Sequence, residues 1–128
     1  MRKALRILVD GTVEELDLDS AEGSLKVLQN GVKFDEQDVS PLVQAIDLSR
    51  GVTMWCHEEG KLLGHPHNDT ATMLYSFDFG MDDYEEYIAG NVVLTGGVDD
   101  EGDTLGIPEE RVEGLRRLAN TFWDIKHK

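Results

Sequence analysis

Residues 52–75, VTMWCHEEGKLLGHPHNDTATMLY, decide how this chain is read. The first six residues suit a strand. Glu58-Glu59-Gly60 closes it with a turn, and Asn68 or Asp69 is placed to cap a short helix through about Tyr75, with Ala71, Leu74 and Tyr75 on one face. Trp55 falls in the middle of the strand, where a core or half-buried aromatic is expected. The stretch also holds the only cysteine, three of the four histidines and one of the two tryptophans, so metal or catalytic chemistry is looked for here first.

Working outward toward the N-terminus, residues 43–48 read as a strand that turns into the first through Ser49-Arg50-Gly51. Residues 33–40 (KFDEQDVS) are polar and acidic, and Pro41 disfavours helix just before it, so a loop is expected. Residues 4–9 and 12–18 form a hairpin about Asp10-Gly11, with Leu5, Ile7 and Val9 on one side. Asp19 and Glu22 have capping-box spacing ahead of a helix carrying Ala21, Leu25, Leu28 and Val32. Gly23 shifts its start toward Ser24, and Asn30-Gly31 supplies its stop.

Toward the C-terminus, residues 76–87 mix aromatics with acids and read as a surface loop or frayed helical turn. Residues 88–95 are a buried strand interrupted by Gly90 and ended by Gly96-Gly97, and residues 98–106 an acidic loop. Pro108 opens a helix whose stripe is Val112, Leu115, Ala119, Phe122 and Trp123, expected to lie on the sheet. The order β-β-α-β-β-α-β-α predicts an α+β fold. A mostly antiparallel sheet of about five strands would carry two to three helices on one face. Residues 1–128 fit one domain, with an α/β core over 1–106 and a C-terminal amphipathic helix over 107–128.

Charge narrows the functional classes. Twenty-six acids against 12 Lys and Arg give a formal charge of −14, and no Lys or Arg falls between Lys61 and Arg111. Such a field repels phosphate backbones and attracts basic surfaces, which disfavours direct binding to nucleic acid or anionic membrane. No apolar run approaches the roughly 20 residues of a membrane helix. A lone cysteine, and an opening that lacks a signal-peptide pattern, lead to the expectation of a cytoplasmic protein.

Candidate chemistry is weak on sequence grounds. Cys56, His57, His65 and His67 are zinc-ligand types, but adjacent Cys56 and His57 in a strand project to opposite faces. Cys56 has no oxyanion-hole pattern nearby, and Glu58 and Glu59 would raise rather than lower its pKa. Asp78-Phe79-Gly80 lacks every companion motif of a kinase, and Asp99-Asp100-Glu101-Gly102-Asp103 departs from EF-hand spacing. No catalytic, cofactor or metal residue is assigned.

Four blocks together resemble a known family: LQNGV at 28–32, the strand ending MWCHEEGKL, Pro66-x-Asn68 leading to Ala71-Thr72 and Leu74, and IAGNVVLTGGVDDEGD at 88–103. They are similar to the DUF3846 family, a domain of unknown function whose members occur mainly in bacteriophages and in actinobacteria and other Gram-positive bacteria. The resemblance covers about residues 4–103. It leaves the loop at 33–42 and the helix after Pro108 as additions, and it does not include His65 or His67 as histidines. It implies an accessory protein of a phage or mobile element, in the host cytoplasm, and transfers no activity.

The resulting expectation is a non-enzymatic module that binds a host or phage protein through a basic surface on that partner. The contact residues would be Phe79, Asp82, Asp83, Tyr84, Glu85, Glu86, Asp99, Asp100, Glu101 and Asp103. The first alternative is a DNA mimic that inhibits a DNA-binding protein, and the second a small metal-dependent enzyme.

Overall fold

The computed structural model describes residues 2–35, 38, 41–48, 51–79 and 87–127, the side chain of Phe79 excepted. Its elements are β1 (Lys3–Ile7), β2 (Val13–Asp17), α1 (Ser24–Val32), β3 (Val43–Leu48), β4 (Val52–His57), α2 (Asp69–Phe79), β5 (Val92–Gly96) and α3 (Glu109–His127). This is the α+β order read from the sequence. One five-stranded sheet runs β2-β1-β5-β4-β3, and every pairing in it is antiparallel.

The pleat sorts the core into two parts. Leu5, Ile7, Val52, Met54, Cys56, Val92 and Leu94 face one way, into a large cluster with Ala71 and Leu74 of α2 and Val112, Ala119 and Phe122 of α3. The alternate residues Ala4 and Val93 face the other way, against Leu28 and Val32 of α1, with Trp55 half-buried beside them. The helices therefore cover both faces, which corrects the expectation of helices on one face. The reason lies in topology: β2 and β3 are the two edges of the sheet, so the chain joining them must cross its full width, and α1 is that crossing. Central β5 is buried at every position as a result.

Three local expectations change, two of them for long-range reasons. Asp19 does not cap α1. Its carboxylate accepts from the Arg2 backbone N–H at 2.8 Å and from Arg2 Nε at 2.6 Å, and Gly23 at φ 92 occupies the cap. Asn30-Gly31 does not stop that helix, which runs to Val32; Gly31 is the place where α1 meets the sheet, and a methyl group there would run into Val93. Helix α2 continues to Phe79, past the expected end near Tyr75.

The acidic segment after β5 also differs from an open loop. Gly96 N–H donates to Leu105 O, Leu105 N–H donates to Gly97 O, and Val98 bridges Thr104, which makes a closed hairpin. Among the described residues, no helix is long and apolar enough to cross a membrane.

Candidate functional site

Asn68 organises the region between β4 and β5. It is fully buried, Nδ2 donates to Ile7 O and to Gly90 O at 3.0 Å each, and Oδ1 accepts the Ala71 N–H at 3.0 Å. One side chain thus caps α2, holds the end of β1 and fixes the turn into β5. Thr72 Oγ1 accepts the Ile88 N–H, and Gly90 N–H donates to Pro66 O. The Pro66-x-Asn68, Ala71-Thr72 and Gly90 pieces are therefore parts of one hydrogen-bonded hub, which is structural.

A second buried polar cluster forms at the far end of β4. His57 ends the strand, the turn over residues 58–64 returns the chain to His65, and the α1–β3 connection brings in Asp38. His57 Nδ1 accepts the Glu59 N–H at 3.0 Å. That nitrogen therefore carries no proton, and the neutral ring keeps its proton on Nε2, which donates to Asp38 Oδ1 at 3.0 Å. The His57 and Asp38 side chains are 3% and 9% exposed. His65 is buried edge-on to His57 at 4.9 Å, with Phe34 at 5.1 Å on it.

This cluster is not saturated. Asp38 Oδ2 and His65 Nδ1 are buried with no hydrogen-bond partner among the described residues. Leaving one such atom unpaired costs about 1–3 kcal/mol. One ligand-type atom from each of Asp38, His57 and His65 lies within 4.8 Å of the others.

Cys56 and His57 do project to opposite faces, as the pleat requires: Cys56 belongs to the α2 and α3 side. His67 is elsewhere, stacked on Tyr87 at 3.8 Å, and Lys61 Nζ sits 4.5 Å over the same ring. Cys56 lines a cleft of about 320 Å³ with Gln44, Ile46, Lys61, Tyr75 and Tyr87. Its Sγ–H donates to Gln44 O at 3.7 Å, and burial pushes the thiol up to about 11, with Lys61 opposing only in part. Desolvation, not the neighbouring glutamates, is thus the main cause. The thiol stays protonated at neutral pH and is a poor nucleophile.

Of the contact residues expected from sequence, Asp99, Asp100, Glu101 and Asp103 fall together on the exposed hairpin tip. Asp99 Oδ1 accepts from the N–H groups of Glu101 and Asp103 at 2.9 Å each, which gives this acid a turn-forming role. Asp82, Asp83, Tyr84, Glu85 and Glu86 lie outside the described residues, as does the side chain of Phe79. Asp38 escaped the sequence reading. It is one of three acids in a polar segment without period, and nothing local marks it.

The architecture defines a small three-layer domain, α1 on one side of an antiparallel sheet and α2 with α3 on the other, built on a buried asparagine hub. The chain belongs to the family described as Domain of unknown function (DUF3846), which matches residues 3–122. The match runs past Asp103 through most of α3, so that helix is part of the family's span. No curated protein and no solved structure matches the chain.

Proposed function

We propose that this protein is a non-enzymatic binding module, of the accessory kind carried by phages and mobile elements, that engages a protein with a basic surface. The observation that carries the reading is an apolar ledge beside the Cys56 cleft. Leu62 is 88% exposed and lines that cleft, and Leu63 next to it is also exposed. Solvent-facing leucines at the mouth of a concavity are what a protein contact covers. The cleft's polar groups support binding over chemistry: the thiol is protonated and hydrogen-bonded, and Lys61 lies over Tyr87. The charge of −14 supplies attraction for a basic partner.

A pull-down from bacterial host lysate at low and high salt tests this, with Leu62→Asp beside the wild-type chain. Leu62 touches solvent over most of its surface, so the substitution leaves the fold intact. Specific capture at low salt that Leu62→Asp abolishes is the expected result. Nothing above background counts against a binding module. Capture that vanishes with salt yet ignores Leu62→Asp points instead to an electrostatic DNA mimic.

A further inference from the structure

We infer that Asp38, His57 and His65 form a binding site for one divalent transition ion of the zinc class. The three residues come from separate parts of the chain: the α1–β3 connection, the last position of β4, and the position after the 58–64 turn. Their ligand-type atoms converge within 4.8 Å; the side chains of His57 and Asp38 are 3% and 9% exposed, and His65 is a buried residue. Hydrogen bonding explains only one side of the cluster, the contact between His57 Nε2 and Asp38 Oδ1. On the other side, Asp38 Oδ2 and His65 Nδ1 are left without a partner among the described residues, and an ion held between them satisfies both.

The donor set selects the class of ion. Two imidazoles and one carboxylate suit zinc and its neighbours, whereas calcium and magnesium take oxygen ligands. The surroundings are shaped for it. Gly90 packs close against the ring, where a Cβ would stand 2.9 Å from His65 Nδ1 and crowd the ligand nitrogen. Phe34 places an apolar ring against His65, the kind of wall that strengthens ligand binding by keeping water back.

Ligand atoms on a tetrahedral zinc are about 3.4 Å apart, so the widest pair draws in by up to about 1.4 Å on binding. With the ion on His57 Nε2 the ring proton moves to Nδ1, and the N–H of exposed Glu59 turns to solvent. Bound metal would then tie the α1–β3 connection to the end of β4. The inference stands apart from the partner-binding reading, because neither Leu62 nor the acidic surface enters it.

The test is equilibrium dialysis of the chelator-treated full chain against Zn²⁺, read by elemental analysis, together with Co²⁺ titration read in the visible region. One ion per chain, with cobalt displaced by zinc, is expected. His65→Gln and Asp38→Asn should each weaken zinc at least about tenfold, while His67→Gln binds as the wild type does. If either variant fails to fold, NMR of the wild-type chain decides. Zn²⁺ should then shift the ring signals of His57 and His65 and leave those of His67 and His127. Substoichiometric binding by the wild type, binding that survives both substitutions, or shifts at His67 in place of His57 and His65 would overturn the site.

Discussion

Two buried polar clusters lie at the margins of the same sheet and are built on opposite terms. Around Asn68, the side chain's amide and carbonyl make three hydrogen bonds that join β1, α2 and the turn into β5. Around Asp38, His57 and His65, one ring is paired at both nitrogens while a carboxylate oxygen and a second ring nitrogen have no partner among the described residues. A fully paired buried group is explained by the fold it holds. A partly paired one needs a further reason, since it costs stability and the fold gains nothing from the leftover atoms.

The sharpest way to break this contrast is Asn68→Leu. It keeps the branched shape but removes the bonds that Asn68 makes to Ile7 O, Gly90 O and the Ala71 N–H in a buried site. A loss of about 3–5 kcal/mol is expected in denaturant unfolding, a large share of the 5–15 kcal/mol, roughly, that holds such a domain together. A cost below about 1 kcal/mol would mean that the hub is not what fixes the turn.

Gly90→Ala touches both clusters and should cost less. The residue sits at φ +81, which an L side chain adopts with strain, and its new methyl would crowd His65 Nδ1. About 2 kcal/mol is expected by the same unfolding assay. Metal-dependent stabilisation should fall with it, whereas the hydrogen bonds of Asn68 to backbone carbonyls remain possible. A variant as stable as wild type in both conditions would show that the space beside His65 is not constrained.

The smallest effect belongs to Cys56, the lone thiol on the opposite face. Its folded pKa is raised from 9.0 to about 11. Below pH 9 both folded and unfolded thiols keep their proton, so this group's contribution to stability is fully present. Between about 9 and 11 the unfolded chain releases the proton while the folded chain holds it, so stability falls as pH rises. Unfolding curves at pH 8 and 10.5 measure the slope, and Cys56→Ala should remove it. At pH 8 the native thiol should react with a disulfide reagent about a hundredfold more slowly than the unfolded one. Equal rates would mean that the cleft exposes the sulfur.

The main outline was legible locally. Strands β3 and β4 occupy the residues that alternation and the Gly51 and Glu58-Glu59-Gly60 turns marked out, and α3 starts where Pro108 and the two following acids place it. Asn68 was one of two candidate caps read from the sequence, with Asp69, and its bonds to Ile7 and Gly90 had no local sign. The closed hairpin at residues 96–105 was hidden because its composition is that of a solvated loop, and its closure depends on backbone groups.

By itself the sequence determined the number, order and type of the elements, the acidity and the opposed facing of Cys56 and His57, since each follows from near neighbours, period or charge. Only the tertiary structure decided that α1 lies across one face and α2 with α3 across the other, that Gly31 is a contact point, and that Asp19 serves Arg2. It alone decided that Asp38 meets His57, 19 residues away, and that Asn68 reaches Ile7 over 61. Such pairings leave no local period to read. They exist because the sheet order carries distant segments to the same edge and buries their polar groups together.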